Sequence, residues 1–219
     1  MQDMKKILKV GISLRVENFE KYNEKRDVIS QDWIKFCNGA NLIPILIPNT
    51  LENTKKFLDE IKPDLLIFSG GDNIGEDPER DKTEIDMIEF AIKNKIPSLG
   101  VCRGMQFFNK YFGGEIEHGM NKDHVKTRHK IKITDKKLST LLEKNESDVN
   151  SFHENLLSSK ILGKGLMSFG IAEKDKTVEA FYHEKYPIIG VMWHPERESN
   201  LKEEYKLIKI LKNKKIWKK

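Results

Sequence analysis

Through the first half of the chain, short apolar runs alternate with amphipathic stretches. Residues 9–14 (Lys-Val-Gly-Ile-Ser-Leu) read as a first strand. Residues 27–38 carry apolar positions at helical spacing, with Gly39 placed to end a helix. Residues 41–48 hold Leu42, Ile43, Ile45, Leu46 and Ile47 and read as a buried strand with a local break at Pro44. Residues 51–61 form an amphipathic helical pattern that Lys62-Pro63 closes. Residues 64–68 are apolar on both faces, as a parallel sheet covered on both sides requires, and run directly into Ser69-Gly70-Gly71-Asp72. A helix is predicted over 80–95. A further apolar run then leads into Gly100-Val101-Cys102-Arg103-Gly104, and a helix over 105–112 is closed by Gly113-Gly114. Strands alternating with helices at this spacing predict an α/β fold built on a doubly wound, mostly parallel sheet.

The second half changes character. Residues 130–134, 148–153, 166–173, 178–182 and 187–193 read as short strands punctuated by turns, with Gly163, Gly165 and Asp175-Lys176 among the turn residues. This pattern predicts an added antiparallel portion that extends or caps the sheet. A terminal helix is expected over about 201–212. Neither a repeat nor a linker divides the chain, so residues 1–219 are expected to form a single domain.

Composition narrows the function classes. Charged residues make up 33% and hydrophobic residues 38% of the chain, and no apolar run approaches the ~20 residues of a membrane span. Residues 1–6 lack the apolar core of a signal peptide. A cytoplasmic protein with no membrane partner is expected. The net charge of +5 is modest, and much of it lies in the lysine-rich segment 202–219, which fits a solvated helix face. No motif or aromatic interleaving supports nucleic-acid binding. The cysteines are Cys37 and Cys102, too few for a disulfide framework or a cysteine metal site. Cys37 falls on a predicted helix and is expected to be packed in the core.

Cys102 stands differently. A cysteine in a tight strand-to-helix turn has the form of a nucleophile elbow. Gly100 and Gly104 would let the backbone take a strained turn. The sulfur would sit at a helix N-terminus, where the dipole and free amides favour a thiolate. The strand 188–193 ends in His194-Pro195-Glu196. A histidine there is able to take the thiol proton, and a carboxylate two residues later is able to orient the imidazole. Gly70-Gly71, at another strand end, would let backbone amides face a cavity, as an oxyanion hole requires. A buried structural cysteine, a turn histidine and an ordinary glycine turn also fit these residues, and spacing alone leaves both sets of readings open.

Taken together, Ser69-Gly70-Gly71, Gly100 to Gln106, Asn150-Ser151-Phe152-His153 and Trp193-His194-Pro195-Glu196 resemble the class I glutamine amidotransferases. Within them the chain is most similar to the stand-alone γ-glutamyl hydrolases of peptidase C26 type. The resemblance implies a flavodoxin-like sheet and a catalytic set of Cys102, His194 and Glu196. It implies an oxyanion hole from the amides of Gly71 (or Gly70) and Arg103. It also implies that Gln106 and the segment of Asn150, Ser151, Phe152 and His153 hold the substrate's glutamyl group. Arg80, Asp81 and Glu84 match an Arg-Asp…Glu pattern of that branch, compatible with bracing or with binding.

The implied activity is hydrolysis of a γ-glutamyl amide with release of L-glutamate. Alternatives are a glutaminase subunit feeding ammonia to a separate synthetase, hydrolysis of γ-glutamyl-γ-aminobutyrate, and a non-catalytic binding protein on the same scaffold. The sequence departs from the branch in its short, acidic segment 72–79 and in Glu154, where a second histidine is usual. Both bear on what lies beyond the glutamyl group. A cationic rim is expected over 115–128, from His118, Lys122, His124, Lys126 and Arg128, and it would suit a γ-glutamyl group carried on a nucleotide diphosphate. No cofactor and no metal are expected. His118, His124 and His129 lack helical register, and neither a cysteine nor a paired acid joins them in sequence. The expected partner is a small-molecule γ-glutamyl substrate, nucleotide-linked in one reading, with self-association left open.

Overall fold

A computed structural model of the chain describes residues 7–119 and 124–217. The expectations for residues 1–6 and for Lys122 lie outside the described residues. A nine-stranded mixed sheet runs β4-β1-β5-β6-β11-β10-β9-β7-β8. Its parallel half comprises β4 (Leu42–Ile47), β1 (Leu8–Ser13), β5 (Leu65–Phe68), β6 (Ser98–Val101) and β11 (Ile188–Val191). The remaining strands β10 (Val178–His183), β9 (Leu166–Ala172), β7 (Val125–Ile133) and β8 (Glu146–Phe152) extend it antiparallel. The expected architecture is therefore present, with the antiparallel strands lengthening the sheet.

The central strands bury both faces because both are covered. Val10, Ile12, Leu65, Ile67, Leu99 and Val101 point into one core, against the helices α1 (Gln31–Gly39) and α6 (Leu201–Lys212). Leu66 and Phe68 point into the other, with residues of α2 (Thr54–Ile61), α3 (Pro78–Asn94) and α4 (Arg103–Tyr111). Among the described residues, no helix is long and apolar enough to cross a membrane.

Four local expectations are corrected. Residues 15–28 form a two-stranded antiparallel ribbon, β2 (Arg15–Phe19) with β3 (Glu24–Val28), so α1 starts at Gln31 with Ser30 accepting from the Asp32 amide at 3.2 Å. Pro44 does not break β4. That strand lies at the sheet edge, where a missing N–H costs no ladder bond. Gly39 is the last helical residue rather than the cap. It is needed because a Cβ there would lie 1.9 Å from the Tyr205 hydroxyl on α6. A short helix, α5 (Lys136–Leu142), interrupts the second half, its Leu138 and Leu142 buried in the α1/α6 core.

Candidate active site

The carboxyl ends of β5, β6 and β11 converge on one cleft, where open α/β sheets place their sites. Cys102 follows β6 directly and precedes α4. Its own backbone takes φ 51° and ψ −105°, a strained conformation for a side-chain-bearing residue. The strain sits on the cysteine itself. The flanking glycines serve close approach instead: a Cβ on Gly104 would lie 2.1 Å from the Phe68 carbonyl oxygen, and one on Gly100 would lie 2.6 Å from that of Gly104. The elbow is thus wedged between β5 and the first turn of α4.

His194 follows β11, and its Nδ1 lies 2.7 Å from Glu196 Oε1. Burial opposes a charge on the thiol, but the His194 imidazole, the charge of His153 and the Arg103 amide outweigh it and hold the Cys102 pKa below its ordinary value. Burial likewise opposes protonation of His194, yet Cys102 and Glu196 raise its pKa to about 9. The arrangement favours a thiolate beside an imidazolium. Burial alone acts on Cys37 and pushes that thiol up to about 12.

Each neighbour of this pair is itself fixed. Gly70 makes room for the imidazole, since a Cβ there would lie 2.7 Å from His194 Cε1. Gly71 lines the cleft with φ 128°, a conformation that favours glycine. Asn150 clamps the His194 backbone from both sides: its Nδ2 donates to the His194 carbonyl at 2.8 Å and its Oδ1 accepts from the His194 amide at 2.9 Å. Glu198 Oε1 accepts from the Asn150 amide and from Nδ2, at 2.9 and 2.7 Å. Arg128 then holds Glu198 at 3.1 Å.

Beneath the elbow, fully buried Arg80 donates to the Ser69 and Gly70 carbonyls at 2.9 and 3.0 Å and pairs with Glu84 at 3.2 Å. Arg103 spans Glu84 and Asp81, and Ser13 donates to Glu84 at 2.8 Å. Arg80, Asp81 and Glu84 therefore brace the two turns that flank the cleft, and the balance between bracing and binding falls to bracing.

The remaining expected residues divide. The Phe152 ring meets His194 edge-on at 5.8 Å and lines the cleft. Gln106, one turn beyond Cys102, faces a neighbouring cavity with Asn73, His118 and Asn155, and accepts from Asn155 at 3.3 Å. Ser151 and His153 point to the opposite side of β8, where Ser151 donates to the His124 carbonyl at 2.8 Å and His153 lies 3.6 Å from Glu179. Glu179 is buried, and His129 and His153 outweigh that burial and hold its carboxyl well below the usual carboxylate range. It supplies the acid that the histidine spacing lacked in sequence.

The expected cationic rim is revised. His124 is buried, and Arg128 is tied to Glu198 and Asp148. The cations that do line the cleft are Arg15, from the unforeseen ribbon, and Arg197, whose guanidinium lies 5.0 Å from the Phe152 ring centroid. Arg197 follows directly on the His-Pro-Glu motif, which was the available signal. For Arg15 the polar ribbon offered none.

Comparison with known proteins shows the family and the fold. The family model described as peptidase C26 matches residues 9–196. The chain is 32% identical over 214 residues to the γ-glutamyl-CDP-amidate hydrolase of Campylobacter jejuni, covering 91% of this chain and 98% of that protein. It is 31% identical to anthranilate synthase component 2 of Saccharolobus solfataricus, covering 70% of this chain and 77% of the other. The crystal structure of a glutamine amidotransferase from Thermotoga maritima superposes with a TM-score of 0.65 at 16% identity, covering 96% of this chain and 84% of that one.

Proposed function

This chain belongs to the peptidase C26 family, and from that premise we propose that it is a cysteine-dependent hydrolase of γ-glutamyl amides. The observation that carries the reading is the pairing of Cys102, strained at the elbow, with a His194 that Glu196 orients at 2.7 Å. In this reading the Cys102 thiolate attacks the γ-carbonyl. The amides of Gly71 and Arg103 receive the developing oxyanion. The His194 imidazolium passes its proton to the leaving nitrogen as the C–N bond breaks, which leaves a glutamyl thioester. Neutral His194 then takes a proton from water, whose oxygen attacks the thioester and releases L-glutamate, and the thiolate and imidazolium are restored. The glutamyl half is assigned to Gly70, Gln106 and the backbone of the segment Asn150, Ser151, Phe152 and His153, the Ser151 and His153 side chains being turned to the other side of β8.

The leaving group is assigned to the nucleotide-linked class. Two observations support this: the likeness to the Campylobacter jejuni hydrolase along nearly all of its length, and the Arg15 and Arg197 side chains on the cleft wall. Guanidinium groups favour phosphate and give nothing to an ammonium leaving group. The proposed reaction is hydrolysis of γ-glutamyl-CDP-amidate to glutamate and cytidine diphosphoramidate. Glutamate release measured by mass spectrometry from γ-glutamyl-CDP-amidate, γ-glutamyl-γ-aminobutyrate and glutamine tests it. The nucleotide conjugate should have the highest kcat/KM, and Arg15→Gln with Arg197→Gln should raise its KM while glutamine turnover hardly changes. Equal efficiency on all three would refute the assignment. The likeness to anthranilate synthase component 2 supports a second reading, a glutaminase subunit, which preferred glutamine turnover would favour.

A further inference from the structure

On the far side of β8 from the cleft, three imidazoles and one carboxylate face a common space. His124 precedes β7, His129 lies on β7, His153 follows β8, and Glu179 comes from β10. His129 Nε2 and His153 Nε2 lie 3.4 and 3.6 Å from Glu179 Oε2, and His124 Nδ1 lies 3.7 Å from Oε1. None of these distances is a hydrogen bond. They are close to the ~3.3 Å edge of a tetrahedron whose ligands stand about 2.0–2.1 Å from a central ion. Ligand atoms of His124, His129 and Glu179 all fall within 4.8 Å of one another.

His124 Nε2 lies 2.8 Å from Asp175 Oδ2, so that nitrogen carries the proton and Nδ1 presents a lone pair. The Ser151 hydroxyl already donates to the His124 carbonyl, so it does not cap Nδ1. His153 Nδ1 lies 2.9 Å from the Asn155 carbonyl oxygen, and its Nε2 faces Glu179 at 3.6 Å. His153 Nε2, both nitrogens of His129, and Glu179 Oε2 are buried without a hydrogen-bond partner. His153 and Glu179 side chains are each only 1% exposed. His124 Nδ1 and the Glu179 carboxylate face each other as acceptors, an arrangement that a cation between them satisfies. The outer partner of His124 is one that a metal-ligating histidine takes, a carboxylate on its other nitrogen. A surface cavity of about 230 Å³, bordered by Lys130, Glu173 and Asp175, reaches His124 and His129 and gives an ion a way in.

We propose that His124, His129 and Glu179 bind a divalent first-row transition-metal ion such as Zn²⁺, with Asp175 orienting His124. Two imidazoles with a carboxylate suit such an ion. The bound metal ties β7 to β10 behind the strand that carries Asn150 and Phe152. It lies outside the cysteine chemistry and does not depend on the substrate reading.

The test uses the full chain as Cys102→Ala, so that the cysteine–histidine pair does not capture the ion. Zn²⁺ alone is titrated by calorimetry, with bound metal counted by mass spectrometry and the Co²⁺ form followed by its visible ligand-field absorption. One equivalent should bind. His129→Gln and Glu179→Gln should abolish stoichiometric binding, Asp175→Asn should weaken it about 10–100-fold, and His118→Gln should leave it unchanged. His129 is the most accessible ligand, with a side chain 15% exposed, so His129→Gln decides the matter should circular dichroism show Glu179→Gln to be unfolded. Failure of the parent chain to bind one equivalent, or full binding by folded His129→Gln, would overturn the proposal.

Discussion

The two cysteines provide an internal comparison, because one fold holds them in opposite electrostatic settings. Cys37 is fully buried on α1, and its thiol is pushed up to about 12. Cys102 lies below the ordinary value of 9.0. At pH 7 the thiolate fraction of Cys37 is on the order of 1 in 10⁵, while Cys102, taken even at its unshifted value, has about 1 in 100. The ratio is about a thousandfold. Intrinsic nucleophilicity falls with pKa at a slope of ~0.4–0.5, which returns about 30-fold of that advantage to Cys37. Alkylation of Cys102 should therefore be at least ~30-fold faster than that of Cys37, before the burial of Cys37 is counted. Iodoacetamide at pH 7, followed by peptide mapping against time, measures both rates in one sample. Activity should be lost in step with Cys102 labelling. His194→Gln should slow Cys102 labelling by removing the imidazolium partner and should leave Cys37 unchanged. Inactivation that tracked Cys37 would refute the reasoning, because Cys37 is buried on α1 and does not line the cleft.

Further expectations concern His194. Its pKa is raised to about 9, so the imidazolium that the proposed mechanism uses to protonate the leaving nitrogen is present below that value and is lost above it. The pH profile of kcat/KM should therefore fall on the alkaline side near pH 9, and Glu196→Gln should move that limb to lower pH. A limb that stays in place would remove Glu196 from the pair. Asn150→Ala deletes both bonds to the His194 backbone, each worth about 1 kcal/mol. It should lower Tm by about 4–8 °C and reduce kcat with little change in KM. Wild-type kcat in that variant would show that the clamp does not position the imidazole.

What could be read from sequence follows from how each feature is encoded. The parallel half of the sheet is written locally: β5 and β6 are continuous apolar runs because both their faces are covered, and the turns after them carry glycine. The elbow was legible for the same reason, although the strain falls on Cys102 and the glycines answer steric contact with Phe68 and with each other. The ribbon over 15–28 was not legible. It lies on the rim and has few apolar positions to alternate, so its strand geometry has no hydrophobic signature, and helical spacing was extended back to Asp27. That carboxylate instead receives the Asn49 amide at 2.9 Å and the Asn49 side chain at 2.7 Å. With the ribbon went Arg15, one of the two cations on the cleft wall.

Glu179 was hidden by a different cause. In Val178-Glu179-Ala180-Phe181 a single polar residue in an apolar strand reads as the solvent-facing position. The antiparallel extension is covered there as well, so the carboxylate is turned inward with 1% exposure. Its companions come from positions 124, 129 and 153, and no periodicity links them to 179 because three separate strands bring them together. The same holds for the line from Arg128 through Glu198 and Asn150 to His194, which joins β7, the segment after the His-Pro-Glu motif, β8 and the end of β11. Arg128 was expected to meet an anionic substrate because an exposed arginine near the elbow helix is, in sequence, simply a free charge. In the fold its charge is spent on Glu198, which fixes the two donors of Asn150. A cation on β7 therefore acts on the chemistry through the orientation of an imidazole, and neutralising it should be felt in kcat before it is felt in substrate affinity.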